Sequence, residues 1–120
     1  MLDGRIVGEG EDISRTSGDP TDHAELRAIR AAITTIGPSA LADCTLFASC
    51  EPCMMCTAAI LRTRVSVTYY AARREQAEAY GYRDVVPADE LRELRTHQTT
   101  LELVGIDAVG SDRPFKLSPK

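Results

Sequence analysis

Four cysteines lie within a stretch of thirteen residues, at Cys44, Cys50, Cys53 and Cys56. A disulfide framework normally spreads its cysteines along the chain, so that each bridge closes a long loop. The first residues, MLDGRIVGEG, show no basic segment followed by an apolar one, and we therefore expect no signal peptide and a cytoplasmic protein. Clustered cysteines in a reducing compartment favour metal or redox chemistry. The cluster thus predicts a site for such chemistry rather than a set of disulfides.

The chain has 120 residues, of which 43% are hydrophobic and 27% charged, which is ordinary for a globular domain. We expect one domain over residues 1–120, with its core at about 5–109 and a polar tail at 110–120. The net charge of −4 argues against binding to a nucleic-acid backbone by bulk electrostatics. No apolar run approaches the roughly 20 residues that span a bilayer, so we expect no membrane partner.

Strand-like and helix-like segments alternate along the chain. Short apolar or β-branched stretches predict strands over residues 5–10, 44–49, 64–70 and 99–104. Apolar residues at helical spacing predict a helix that begins at Asp19-Pro20 and ends at Gly37-Pro38. Further helices are predicted over 53–61, 73–80 and 87–94, and residues 11–19 read as a loop. This alternation predicts an α/β sandwich with helices on both faces of the sheet.

Two predicted helix starts, at residues 20–25 and 51–56, both carry side chains that can bind a metal ion. Cys53 and Cys56 are one helical turn apart, so both sulfur atoms can point at the same place. With His23 they provide one nitrogen and two thiolates, a donor set that suits tetrahedral zinc. Because a structural zinc site usually has four protein ligands, three ligands predict an open position for water or hydroxide.

Glu25 is two residues after His23, on the first turn of the predicted helix, where it is not needed as a ligand. Its position suits a group that holds zinc-bound water and moves its proton. Two other interpretations remain open: the histidine and cysteines are ordinary buried residues, or Cys50 is a fourth ligand in a closed structural site. Cys44 is expected to be a small core residue in its strand.

A family resemblance rests on the segments DPTDHAE (19–25), SCEPCMMC (49–56) and AEAYGYRD (77–84). The chain resembles the cytidine and deoxycytidylate deaminase-like superfamily, whose zinc deaminases carry H-x-E and P-C-x-x-C. Within it the chain is most similar to bacterial guanine deaminases and related small nucleobase deaminases, from about residue 7 to residue 104. The resemblance implies a three-layer α/β/α sandwich around a mixed sheet of about five strands. It also implies one zinc ion per chain and hydrolytic deamination, with guanine to xanthine and ammonia favoured and Glu25 transferring protons.

Further site residues follow from the resemblance alone. Backbone groups near Ala24 and at Pro52-Cys53 would contact the edge of the substrate, and Asp84 matches an aspartate implicated in guanine binding. Relatives assemble as homodimers, some with exchanged C-terminal segments, and their C-terminal aromatic residues cover the site. Phe115 is the corresponding candidate here, with a loose tail as the alternative.

The chain departs from the pattern at two places. Relatives have a helix and a Gly-rich strand before residues 5–10, so we expect either a true start upstream, a partner chain that covers the sheet, or a marginal fold. At Asp12 relatives commonly carry an asparagine that binds the base. Because an ionised aspartate only accepts hydrogen bonds, we expect Asp12 to favour a substrate with N–H donors, such as guanine or an aminotriazine.

Other functions stay open. The same chemistry would serve a cytosine, cytidine or aminotriazine deaminase, or a tRNA adenosine deaminase, which the net charge and the lack of a basic stripe disfavour. A catalytically inactive zinc-binding subunit is the alternative of a different class. Arg73 and Arg74 are expected on a solvated helix face, and His97 is expected to be exposed and without a role.

Overall fold

A computed structural model describes residues 1–96, 101–106 and 110 of the chain. His97, Phe115 and the tail residues 111–120 lie outside this part, and so do the predictions made for them. The described helices are α1 (Ser14–Ser17), α2 (Ala24–Ile36), α3 (Met54–Thr63), α4 (Arg74–Ala79) and α5 (Ala88–Arg95), with a 3-10 turn at Ser39–Asp43. The strands are β1 (Thr45–Cys50), β2 (Val67–Ala72) and β3 (Leu103–Gly105).

The three described strands form one parallel sheet in the order β1-β2-β3. Each parallel pair needs a crossover connection, which α3 supplies between the first two strands and α4 with α5 between the last two. The predicted α/β class is therefore confirmed. The described sheet has three strands that are all parallel, whereas we expected a mixed sheet of about five.

The strand predicted over residues 5–10 is wrong. Arg5 forms only an isolated antiparallel bridge with Leu2, and the chain then runs along helix α2 instead of pairing with the sheet. Gly8 and Gly10 make this close approach possible: a Cβ atom on Gly8 would lie 2.4 Å from the carbonyl oxygen of Ala28, and one on Gly10 would lie 2.7 Å from that of Ala24. The segment read as a strand is a glycine-dependent contact with a helix.

Helix α2 begins at Ala24, four residues later than predicted. Asp19 accepts hydrogen bonds from the backbone N–H of Thr21 at 2.9 Å and from its hydroxyl at 2.7 Å, so it shapes a turn instead of capping the helix. His23 is the N-cap, with extended backbone at φ −79° and ψ 153°. Gly37 ends the helix at φ 79°, as predicted. The short helix α1 lies in the predicted loop.

The hydrophobic core lies between helices α2 and α3, the 3-10 turn and one face of the sheet. Its buried members are Ile29, Ala32, Leu41, Cys44, Ile60 and Val65. Cys44 is 3% exposed, which confirms the role predicted for it. Leu46 and Leu103 pack on this core from the strands, whereas Phe47, on the opposite face, is 56% exposed and stacks on Tyr69 at 5.5 Å.

Among the described helices, none has the length and apolar character that crossing a bilayer requires.

Candidate metal centre

The starts of α2 and α3 bring His23, Cys53 and Cys56 together. His23 and Cys53 are the N-caps of the two helices, both with extended backbone, and Cys56 follows on the first turn of α3. Nδ1 of His23 lies 3.5 Å from the sulfur of Cys53 and 3.7 Å from that of Cys56. All three ligand atoms lie within 4.8 Å of one another, and both cysteines are buried.

These separations fit zinc. Tetrahedral zinc with a Zn–N bond of about 2.05 Å and a Zn–S bond of about 2.3 Å separates nitrogen from sulfur by about 3.6 Å. The two observed nitrogen–sulfur separations bracket that value. The three donor atoms are therefore close enough together to serve as ligands of one zinc ion. The sequence predicted this ligand set, and the structure brings all of it to one place.

Interaction between the Cys53 and Cys56 thiols shifts their pKa values in opposite directions. The hydrogen bond from Cys56 lowers the pKa of the Cys53 thiol, with His23 nearby acting in the same direction against the effect of burial. The same hydrogen bond and burial raise the pKa of Cys56, and the neighbouring carboxylate of Glu25 raises it further. Without a metal, the favoured state is thus a thiolate on Cys53 and a thiol on Cys56. A bound zinc ion would displace the proton of the Cys56 thiol.

Glu25 lies on the first turn of α2, near enough to the cluster for its carboxylate to raise the pKa of the Cys56 thiol. It also lines a cavity of about 460 Å³, together with Gly8, Gly10 and Ala24. The carboxylate is therefore next to the metal centre without being part of the three-atom cluster. The proton-transferring role of Glu25 stays a prediction.

A second cavity, of about 480 Å³, has two of the metal ligands in its wall. Its lining includes His23, Cys53, Asp12, Arg15, Arg74, Tyr82, Arg83 and Asp84. The volume is in the range of small-ligand pockets. The guanidinium of Arg15 lies over the ring of Tyr82, 5.4 Å from its centre. Two residues predicted to bind substrate, Asp12 and Asp84, are thus brought to the cavity beside the metal ligands.

Asp12 and Asp84 differ in the hydrogen bonds that their carboxylate oxygen atoms accept within the protein. One oxygen of Asp12 accepts hydrogen bonds from the Ser14 backbone N–H at 2.9 Å and from the Ser14 hydroxyl at 2.7 Å. Partial burial raises the pKa of Asp12, but these bonds outweigh it and leave the pKa below its ordinary value. Asp84 accepts from the Val85 N–H through Oδ1, at 2.8 Å. Its Oδ2 is buried and lacks a partner among the described residues.

The other predicted residues lie differently. Ala24 lines the cavity of Glu25, while Pro52 is fully buried and its carbonyl oxygen accepts a hydrogen bond from the Thr57 hydroxyl at 3.4 Å. A substrate contact by Ala24 or Pro52 stays a prediction. Cys50 is not in the metal-ligand cluster of the described residues, and burial raises the pKa of its thiol to about 11. This geometry favours the open three-ligand site over the closed one.

Sequence reasoning missed Glu51 and Arg74. Glu51 read only as part of a helix start, yet it is fully buried and its carboxylate accepts a hydrogen bond from the Arg74 N–H at 2.9 Å. The solvated position predicted for Arg74 is wrong, since its side chain is half-buried and its guanidinium donates to the Glu51 carbonyl oxygen. The only available signal was a charged residue between a predicted strand and a predicted metal ligand.

Comparison with known proteins agrees with this centre. The cytidine and deoxycytidylate deaminase zinc-binding region matches residues 1–72, which include both ligand-bearing helix starts. The chain therefore belongs to the cytidine and deoxycytidylate deaminase family of zinc-binding deaminases, which are hydrolases acting on C–N bonds. His23, Cys53 and Cys56 are its potential zinc ligands.

Individual relatives differ in substrate. The chain is 42% identical to guanine deaminase of Bacillus subtilis over 108 residues, covering 84% of this chain and 69% of the relative. It is 38% identical to the tRNA-specific adenosine deaminase of Agrobacterium fabrum over 73 residues, covering 61% of this chain and 48% of the relative. The crystal structure of the Bacillus guanine deaminase superposes with a TM-score of 0.67 at 34% identity, covering 97% of this chain and 73% of that one.

Proposed function

We propose that this protein deaminates a free nucleobase by hydrolysis, with guanine converted to xanthine and ammonia. The observation that carries the proposal is the buried, unpartnered Oδ2 of Asp84 in the same cavity wall as His23 and Cys53. A buried acceptor without a donor is unfavourable, and a ligand with an N–H group at that place would relieve it. Purine bases carry such groups on their ring edges, and similarity to guanine deaminase supports guanine among them.

Each residue has a distinct task in this reaction. His23, Cys53 and Cys56 would hold a zinc ion, which would supply Lewis acidity and so make water a nucleophile at neutral pH. Glu25 accepts the proton that water gives up and delivers protons to the ring nitrogen and to the departing amine. Asp84 and Asp12 accept N–H groups of the base and set its orientation. Ala24 and the backbone that follows Pro52, at Cys53, would contribute backbone contacts at the substrate edge.

The proposal also includes the localisation and the oligomeric state of the protein. A free base requires no nucleic-acid surface, and we propose that the enzyme works in the cytoplasm as a homodimer. Exchange of C-terminal segments between subunits would involve the tail, which lies outside the described residues. Light scattering of the purified protein tests the dimer: a monomer mass over the micromolar range would contradict it.

Ammonia release from a panel of substrates tests the reaction. The panel contains guanine, cytosine, cytidine, adenine and ammeline, each assayed with zinc-loaded protein. We expect the highest kcat/KM for guanine, and Asp84→Asn should raise KM for guanine by about tenfold because it replaces an acceptor-only group by a mixed one. Asp89→Asn, on the exposed start of α5, is the matched control and should leave KM unchanged. Preference for cytosine, cytidine or ammeline would reassign the substrate.

A tRNA adenosine deaminase is the second candidate. Arg15, Arg74 and Arg83 line the cavity that holds the metal ligands, and such groups can contact phosphate. Deamination of adenosine in a tRNA anticodon stem-loop, with an activity that falls steeply as salt rises, would favour this candidate. Guanine turnover that is insensitive to salt would exclude it. A folded, zinc-replete sample without turnover on any of these substrates would instead indicate an inactive zinc-binding subunit.

A further inference from the structure

A fully buried carboxylate stands directly before the metal-binding turn. The side chain of Glu51 is 0% exposed, and only Pro52 separates it from the ligand Cys53. Burial of a carboxylate is strongly unfavourable unless the charge is paired and its oxygen atoms are hydrogen-bonded. Glu51 therefore has to be held by specific partners in the folded chain.

Those partners come from three places in the fold. Oε1 accepts hydrogen bonds from the backbone N–H of Arg74, at 2.9 Å, and from Nη2 of Arg92, at 2.7 Å. Oε2 accepts from the guanidinium of Arg95. The backbone is held as well, because the Glu51 N–H donates to the carbonyl oxygen of Ala72 at 2.7 Å. The end of β2, the start of α4 and the helix α5 thus all bind this single residue.

Glu75 provides an internal comparison. It also pairs with Arg92, but its side chain is 53% exposed, whereas that of Glu51 is 0% exposed. Exposed ion pairs contribute little because water screens them. Arg95 is 13% exposed and pairs with Glu51. The buried ion pairs of this network are therefore those of Glu51, which lies two residues before the ligand Cys53.

The chain between Glu51 and Cys53 has little freedom. Pro52 fixes its own φ and restricts the residue before it to extended backbone. Pro52 is also fully buried, and Cys53 is held at φ −68° and ψ 175° as the N-cap of α3. Because so few torsions remain free, the position of Glu51 largely determines where the sulfur of Cys53 lies.

We propose that Glu51 is a positioning residue for the metal centre, and that it transmits the placement of α5, through Arg92 and Arg95, to the Cys53 sulfur. The charged network holds this sulfur next to His23 and Cys56 before a metal binds, so that less ordering accompanies binding. Helix α5 supplies none of the three clustered ligands, yet it contributes to metal affinity. The inference rests on the metal-dependent function proposed above, but metal affinity is measured without substrate.

The experiment compares Glu51→Gln with the matched control Glu75→Gln. Glutamine keeps the size of the side chain and an acceptor for the Arg74 N–H, so the variant retains its fold and loses the charge that Arg92 and Arg95 hold. Zinc affinity is measured by competition with a chelating dye on the full chain. We expect Glu51→Gln to weaken zinc binding by about 10- to 100-fold, as is typical when groups that hold metal ligands are changed. Glu75→Gln should stay within about twofold.

A spectroscopic readout and a second variant separate positioning from general stability. In cobalt-substituted protein, Glu51→Gln should weaken the thiolate-to-metal charge-transfer band, and Glu75→Gln should not. Arg95→Gln, which changes a residue of α5, should weaken zinc binding in the same direction. If Glu51→Gln lowers only the melting temperature and leaves zinc affinity and the cobalt spectrum unchanged, Glu51 is merely structural and the proposal is overturned. Unchanged zinc affinity in Arg95→Gln would overturn the part played by α5.

These outcomes are independent of the substrate. Absence of guanine turnover, with zinc affinities ordered as expected, would contradict the proposed function and support the role of Glu51. Guanine turnover by the wild-type chain, combined with equal zinc affinities for all variants, would support the proposed function and contradict the role of Glu51. A wild-type chain that binds no zinc would overturn both.

Discussion

The sulfur of Cys53 lies 3.5 Å from Nδ1 of His23, although thirty residues separate them in the chain. Each is the N-cap of its helix, and each has extended backbone. The positive ends of two helix dipoles and the N–H groups of their first turns therefore lie close to this pair, where they favour a thiolate. The metal centre is thus a meeting of two helix starts rather than a feature of one loop.

Loss of a ligand should affect both metal content and stability. Cys53→Ala should reduce bound zinc from one per chain to a small fraction and lower the melting temperature, because metal binding is coupled to folding. Metal analysis and thermal denaturation measure the two effects. Cys44→Ala is the matched control: Cys44 is buried in the core, so we expect a loss of about 1 kcal/mol in stability with full zinc content. Chelator treatment that leaves the wild-type melting temperature and activity unchanged would contradict the prediction.

Glu25 should be required for the reaction and dispensable for the metal. Glu25→Gln keeps a side chain of the same size beside Cys56 but cannot accept and deliver protons, so we expect kcat to fall by about 10²- to 10⁴-fold. Zinc content should remain at one per chain. The control is Glu93→Gln on the exposed surface of α5, which should retain wild-type kcat. A Glu25→Gln protein that remains fully active would refute the proton-transfer role.

The charge of Asp12 should influence substrate choice more than stability. In Asp12→Asn the side-chain carbonyl can still accept the hydrogen bonds from Ser14, so the free energy of unfolding should change by no more than about 0.5 kcal/mol. Removing the acceptor-only carboxylate should reduce the preference for guanine over cytosine. The ratio of kcat/KM for the two bases measures this preference. An unchanged ratio would show that Asp12 only shapes the turn before α1.

Stability should fall in alkaline solution because of Cys50. Burial raises the pKa of this thiol from 9.0 to about 11, so the folded chain holds the proton where the unfolded chain has lost it. A raised pKa gives stability that is complete below the unfolded value and is lost as the pH rises toward the folded one. Between about pH 9 and pH 11 the loss attributable to Cys50 should be on the order of 2 kcal/mol.

Denaturant titrations of wild-type and Cys50→Ala protein at pH 8, 9, 10 and 11 measure this effect. The variant should lose less stability than the wild type over that range, since it has no thiol at this position to ionise. Parallel curves for the two proteins would show that the Cys50 thiol is not protected by burial.

Much of the site was predictable from residue types and spacing. Cys53 and Cys56 are one helical turn apart, and Pro52 marks where α3 begins, so the two cysteine ligands followed from local rules, whereas the start of α2 was predicted four residues too early. The family resemblance then assigned Glu25 its role. The helix end at Gly37 and the alternation of strands and helices were predictable for the same reason, since they depend on neighbours within a few positions.

Other features depended on contacts between distant segments. Residues 5–10 have the local pattern of a strand, but Gly8 and Gly10 allow them to lie on α2 instead. Aspartate is a common helix N-cap, but Asp19 forms hydrogen bonds with Thr21 instead. The N-cap of α2 is His23. A short pattern does not reveal which of two allowed partners a segment will meet in the folded chain.

The sequence by itself determined the donor set, the start of the helix that carries the two cysteines, and the α/β class, because each is encoded in spacing along the chain. Only the tertiary structure decided that Cys50 stays out of the cluster, that Asp84 keeps a buried acceptor free, and that Glu51 is fixed by residues of α4 and α5. These depend on burial and on side chains more than twenty residues away. Burial and pairing of this kind exist only once the chain has folded.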